Sequence, residues 1–318
     1  MLRRLKNIDL VVKTCMEVKP NQQILIVAED NDRPLQIAQQ LAEACTAEGA
    51  EVVMAIMVPR TFNGQEPPKA IAEAMQVVDA VVVASERFYI EHTNAGKAVR
   101  EKGIMYVNCQ PERHFIKEIS AADVKKIKAR TIKLADILSK ATKARVTTPD
   151  GTKLSMSLKG RPGIPLYPMK GAPIMVVPEY AEAAIAPVEG STEGILVSDC
   201  GLRGWSLQPK EPLCLTIKKG WVAGVTGDKE YVARFKKLIA TDENAANCAA
   251  ELGFGTSHTM DRRLVMSGSL DGTIHIAVGR NNDIGGDIYS QIHFDLIMSK
   301  PTVWLDDQCV VKDGVLKI

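Results

Sequence analysis

The sequence predicts an α/β protein: a doubly wound parallel-sheet domain over residues 1–144, then a β-rich α+β metal-binding domain over residues 145–318. Three observations lead there. The first half alternates short apolar runs with Ala-containing helical stretches. The second half is dominated by β-runs and turns. Three of the five histidines, His258, His275 and His293, fall in its last part.

The elements follow in order. Residues 23–28 (QILIVA), 51–57 (EVVMAIM), 79–85 (DAVVVAS) and 104–108 (IMYVN) are short, almost continuously apolar and rich in Val and Ile. Strands covered on both faces need such composition, because neither side meets water. Between them, residues 33–49, 67–76 and 94–103 read as helices, and the first and last close on a glycine. Glycine ends a helix in the left-handed conformation without a Cβ clash. This rhythm belongs to a doubly wound sheet. A dinucleotide site would need a Gly-rich loop after the first strand, but the chain reads AEDNDRP there. No nucleotide site is expected.

Residues 121–144 form a long Lys- and Ala-rich helical segment that ends the first domain. Residues 145–158 (RVTTPDGTKLSMSL) are two alternating runs around Pro-Asp-Gly, the signal of a hairpin. Further β-runs follow at 194–198, 213–217, 222–226, 273–278, 292–298 and 302–305, interrupted by one helix at 229–241.

Charge excludes some partners. Lys plus Arg total 40 and Asp plus Glu 38, a net charge of +2, which offers no footprint for nucleic acid or an anionic membrane. No apolar run approaches the ~18–20 residues that span a bilayer. The basic start of the chain is followed at once by Asp9, so no signal peptide is expected. The seven cysteines are dispersed without a CxxC pair. They read as reduced, mostly buried thiols of a cytoplasmic protein rather than a disulfide framework or a zinc–cysteine site.

The chemistry lies in the second half. In QIHFDLIM, His293 and Asp295 are two apart, so a strand points both to one face and Ile292, Phe294 and Leu296 to the other. In DGTIHIAV, Thr273, His275 and Ala277 share one face, and Ile274, Ile276 and Val278 the other. If the two strands are adjacent, His275, His293 and Asp295 converge. Imidazole nitrogen with carboxylate oxygen suits zinc, manganese, cobalt or ferrous iron. The plainer alternative is a half-exposed sheet whose polar face meets water. Glu251 (CAAELGFGT) and Glu182 (PEYAEAAIAPVEG) sit among small apolar residues, where an acid is costly unless paired or metal-bound. Taken singly, each reads as a salt-bridge or capping acid.

Four stretches resemble the thermophilic-type metallo-aminopeptidases (aminopeptidase T and aminopeptidase S) and their shorter relatives. They are EAAIAPVEG at 182–190, AELGFGT at 250–256, GTIHIAVG at 272–279 and SQIHFDL at 290–296. The resemblance runs in family order over residues 173–311, and the first half agrees only in its α/β rhythm. It implies a homodimeric hydrolase that releases N-terminal residues from small peptides through a water activated by two divalent metals, zinc, cobalt or manganese. The implied ligands are Glu182, Glu251, His275, His293 and Asp295. Glu179 is the candidate proton carrier and His258 a candidate substrate contact. One departure stands out. The family's tyrosine after the HxAxG strand is missing, and Arg280-Asn281-Asn282-Asp283 stands there instead.

The family's fold also resembles that of an iron(II) dioxygenase that opens dihydroxypyridine rings. That alternative takes a single ferrous ion on His293, Asp295 and either His275 or His258. Glu251 before GFG, where the dioxygenase is expected to place a histidine, and His275 in the peptidase-like strand favour the hydrolase.

Overall fold

Alternating apolar runs and helices in the first half build a parallel sheet. The computed structural model describes residues 5–60, 65–85, 90, 93–109, 115–199, 210–261 and 268–318. The chain opens with α1 (Ile8–Leu10), which continues into a π-helical turn at Val11–Cys15. Then come β1 (Gln23–Glu29), α2 (Asp32–Ala47), β2 (Glu51–Met57), α3 (Lys69–Ala74), β3 (Ala80–Ala84), α4 (Asn94–Glu101), β4 (Met105–Cys109) and α5 (Ala121–Lys140). After it run β5 (Lys143–Thr147), β6 (Lys153–Ser157), β7 (Ile164–Leu166), β8 (Met175–Val177), β9 (Glu182–Ile185), β10 (Glu193–Ser198), β11 (Leu213–Lys218) and β12 (Trp221–Thr226). The last elements are α6 (Lys229–Leu238), β13 (Glu251–Gly255), β14 (Ile274–Gly279), β15 (His293–Met298), β16 (Thr302–Leu305), β17 (Gln308–Lys312) and β18 (Val315–Leu316).

The chain packs into two compact units, residues 1–128 with 166–180 and residues 129–165 with 181–318. In the first, a five-stranded sheet has the order β2-β1-β3-β4-β8, every pair parallel. The inner strands are buried nearly throughout, as their unbroken Val and Ile runs require. The buried positions of α2, among them Ile37, Ala38, Leu41 and Cys45, recur at helical spacing along one stripe. Gly49 follows the helix at φ +86°, the left-handed turn that leads back into β2. The sequence division between residues 144 and 145 remains a proposal about domains. The packing units interleave, because the short strand β8 joins the parallel sheet after the β5–β6 hairpin has formed elsewhere.

That hairpin follows the expected register. Thr147 faces Lys153 across the Pro149-Asp150-Gly151 turn, with Gly151 at φ +107°. It lies in an eight-stranded sheet of order β12-β11-β10-β6-β5-β16-β17-β18. A second sheet has the order β15-β14-β13-β9-β7. One apolar core holds both. Val146, Leu154, Leu196 and Leu215 come from the large sheet, Ala183, Ile185, Leu252, Phe254, Ile274, Ile276, Val278 and Leu296 from the small one, and Phe235 from α6.

Six cysteines are free thiols. Cys15, Cys45, Cys109 and Cys248 are buried, Cys214 and Cys309 half-buried, and Cys200 lies outside the described residues. No described helix is long and apolar enough to cross a membrane.

Candidate metal centre

Strand alternation builds the site. The core-facing residues of the small sheet are Ala183 and Ile185 on β9, Leu252 and Phe254 on β13, Ile274, Ile276 and Val278 on β14, and Leu296 and Met298 on β15. Their neighbours in sequence therefore share the opposite face. Those neighbours are Glu182, Glu251, His275, His293 and Asp295, interspersed with Ala184, Gly253, Gly255 and Ala277.

Register brings the five together. Gly253 pairs with His275 on one side and Ala184 on the other, while Glu251 pairs with Ala277, which pairs in turn with Asp295. The small residues leave room for the large ones. A Cβ on Gly253 would lie 2.0 Å from His275 Nε2, so the imidazole lies over a position only glycine can fill. His275 Nε2 is 3.2 Å from Glu251 and 3.7 Å from Glu182. His293 Nε2 is 2.9 Å from the other Glu251 oxygen and 3.4 Å from Asp295. Glu251 thus joins both histidines. Glu182, Glu251, His275 and Asp295 are buried, and the His293 side chain is nearly so.

The electrostatics are those of a coupled cluster. Burial pushes the Glu251 carboxyl up, but hydrogen bonds and charge from His275 and His293 outweigh it and hold it down to about 2. Burial works against a charged His275, yet the carboxylates of Glu182, Asp295 and Glu251 raise it to about 9. His293 is likewise pulled down by burial and carried well above its ordinary value by Asp295 and Glu251.

This donor set fits a divalent metal. Three carboxylates and two imidazoles are the mixed oxygen and nitrogen donors that a divalent transition metal takes. The donors form two groups, Glu182–Glu251–His275 and Glu251–His293–Asp295, each with its ligand atoms within 4.8 Å of one another. Donors at about 2.0–2.2 Å from one ion lie at most about 4.4 Å apart. Small side-chain shifts close that gap.

The expected face-sharing of His275, His293 and Asp295 is what the structure has, and Glu182 and Glu251 join it. Glu251 does so from β13, a strand that is not among the β-runs read from the sequence. Glu179 is buried in the segment that carries β8 and is in neither donor group. His258 is half-buried beyond β13 and also belongs to neither.

Sequence reasoning misses the clamp beside the site. Asn281 is fully buried and donates to Glu189 at 2.8 Å and to the Ala249 carbonyl at 3.0 Å, while accepting from Ile288 N–H at 2.7 Å. Glu189 also accepts from Asp287 N–H at 3.1 Å and pairs with Arg161, which donates to the Gly285 carbonyl. Burial raises the Glu189 carboxyl, and these donors together bring it below its ordinary range. The only signal in the sequence is Arg280-Asn281-Asn282-Asp283, which reads as a missing tyrosine rather than as an anchor.

Comparison with known proteins corrects the expected activity. The family model described as 2,5-dihydroxypyridine 5,6-dioxygenase matches residues 6–318. A curated 2,5-dihydroxypyridine 5,6-dioxygenase from Pseudomonas putida is 26% identical over 143 residues, covering 40% of each chain. The match therefore spans about two-fifths of that relative's length. The solved structure of 2,5-dihydroxypyridine dioxygenase from Pseudomonas putida KT2440 superposes with a TM-score of 0.76 at 18% identity, covering 98% of this chain and 95% of that one. Wild-type AmpT from Thermus thermophilus superposes at 0.67 and 14% identity, with 98% of both chains covered. Such identities establish a common fold.

The aminopeptidase reading, and with it the metallopeptidase and protease assignments, is overturned by the family match. The physical reason is that the four peptidase-like stretches are β9, β13, β14 and β15 with their flanks, the donor-bearing sheet of a fold common to both. They report a scaffold, and Glu251 and His275 do not separate the two chemistries. The chain belongs to the 2,5-dihydroxypyridine 5,6-dioxygenase family.

Proposed function

We propose that this chain is a metal-dependent dioxygenase that opens the ring of a hydroxylated pyridine or related hydroxylated aromatic. The family match over residues 6–318, a span that includes all five donors, carries the reading. The proposed cofactor is one ferrous ion, held by His293 and Asp295 with Glu251 or His275, in the manner of a histidine–carboxylate triad. When bound, such an ion would supply redox-active Lewis-acid chemistry toward a ring hydroxyl and dioxygen.

The remaining steps fall to the protein. His275 and His293 would hold the ion through Nε2 only in their unprotonated form. Glu182, 3.7 Å from His275 Nε2, is the proposed acceptor of the ring hydroxyl's proton when it is not itself a ligand. Gly253 leaves the space that the His275 ring occupies, and Gly255 the space taken by the Leu270 main chain. Burial excludes bulk water and strengthens every charge interaction in the pocket. Glu179 as a proton carrier and His258 as a substrate contact remain proposals, tested by their alanine variants. A homodimer and a cytoplasmic location are likewise proposed.

The test is oxygen uptake with a panel of hydroxylated pyridines and catechols, on protein loaded anaerobically with ferrous iron, alongside elemental analysis. Uptake stoichiometric with ring loss and about one iron per chain is expected. Iron-loaded protein that consumes no oxygen on any of these rings would sink the reading.

A further inference from the structure

β2 is the open edge of the parallel sheet. All seven of its residues pair with β1, and no described strand lies on its other side. Edge strands are usually blunted by charge, proline or a bulge, because their unpaired N–H and C=O groups recruit another strand. From Val52 to Val58 the chain has none of these. It is apolar throughout, with Val53 62%, Ile56 57% and Val58 72% exposed.

Side chains alternate along the strand, so Val52, Met54, Ile56 and Val58 share one face. The two halves of that face differ in shape. Val52 and Met54, with Ala42, Glu43, Thr46 and Ala47 of α2, line an open groove of about 640 Å³. Ile56 and Val58 stand out into solvent.

We propose that β2 is the contact between two copies of this chain, paired antiparallel across a two-fold axis normal to the sheet. Such an axis keeps each face of the joined sheet continuous. Centred near Ala55, it sets Ile56 and Val58 of one copy opposite Met54 and Val52 of the other. Protrusion meets groove twice over, as a self-complementary two-fold contact requires. Charge selects the same orientation. Glu51 opens the strand, Arg60 follows its end, and no charge lies between them. Antiparallel pairing brings Arg60 to the Glu51 end of the other copy, whereas a parallel copy would stack like on like.

Sedimentation velocity over a wide concentration range tests this on the whole chain. The wild type should be a dimer. The double substitution Ile56→Glu with Val58→Glu should weaken association roughly a hundredfold, since it places carboxylates in the buried contact. Its far-UV circular dichroism should be unchanged, because both positions are solvent-facing. The double substitution Val52→Cys with Val58→Cys should give, on oxidation, a covalent species of twice the chain mass on a denaturing gel. If the glutamate variant misfolds, this cross-link decides alone. A monomeric wild type, a dimer that survives both glutamates, or no cross-link overturns the proposal. Mass is read and turnover is not, so its failure is separate from that of the ring-cleavage reading.

Discussion

His293 points Nδ1 at the main-chain carbonyl of Arg280, 3.0 Å away, and by doing so presents Nε2 to Glu251 and Asp295. A carbonyl only accepts, so Nδ1 carries the hydrogen and Nε2 is left for a ligand or a proton. Metal-binding imidazoles are ordinarily fixed this way through their second nitrogen. The carbonyl is in turn held by its neighbour Asn281, through bonds to Glu189 and Ala249.

Replacing Asn281 with Ala should therefore reach the metal without touching it. Glu189 and the buried Ala249 carbonyl would lose a donor and Ile288 N–H its acceptor, costing about 1–3 kcal/mol of stability. Metal affinity should fall roughly 10–100-fold as His293 loses its orientation. Chelator competition reads the affinity and thermal denaturation the stability. An unchanged metal affinity would show that His293 is held by other means.

Glu251 bonds both histidines, so its charge should matter more than that of any other donor. Glu251→Gln keeps the shape and removes the charge. Bound metal should drop to a trace by elemental analysis, with the circular dichroism spectrum retained. His293→Ala should do the same. A variant with wild-type metal content is not a ligand variant, and its residue leaves the proposed set.

Gly253→Ala is a test of packing. The new Cβ would meet His275 Nε2 at 2.0 Å, and the fully buried ring has little room to retreat. Overpacking of this kind costs about 1–3 kcal/mol. Lower thermal stability together with reduced metal loading is expected. Loading at wild-type level would mean that the ring swings aside freely.

The metal-free protein should show a distinctive pH profile. His275 titrates near 9 when folded and 6.5 when free, so its stabilisation is complete below 6.5 and lost as pH rises through about 9. Glu251 is depressed from 4.5 to about 2, so its contribution is complete above 4.5 and lost as pH falls toward 2. The cluster therefore stabilises the chelated protein most between 4.5 and 6.5. The thermal midpoint should decline toward pH 9, while metal affinity climbs over the same range because the ion competes with those protons. A chelated protein whose midpoint is level from about pH 6 to about pH 9.5 would contradict the arrangement.

Much of the site is legible in the sequence. Alternation in QIHFDLIM and DGTIHIAV puts His275, His293 and Asp295 on one face, and that needs only the two-residue repeat of a strand. β13 is harder to read, since ELGFG carries two glycines and looks like a turn until its partners on both sides are known. The return of β8 to the parallel sheet is invisible. Three residues bounded by prolines give no periodicity, and only β4 beside them makes them a strand. The reaction escapes a sequence reading for a different reason. Imidazoles and carboxylates suit more than one metal chemistry, so a resemblance carried by such residues does not choose between reactions.

The donors come from β9, β13, β14 and β15, and no two adjacent residues supply more than one of them. Only His293 and Asp295 are close along the chain, and two ligands hold an ion weakly. The full set exists only after strands distant in sequence have found their register. A metal held by the full set would therefore be bound by the folded chain and not by the unfolded one. The empty protein folds with its imidazoles and carboxylates already paired beside the apolar core, so a metal supplied after folding should load it as well as one present from the start.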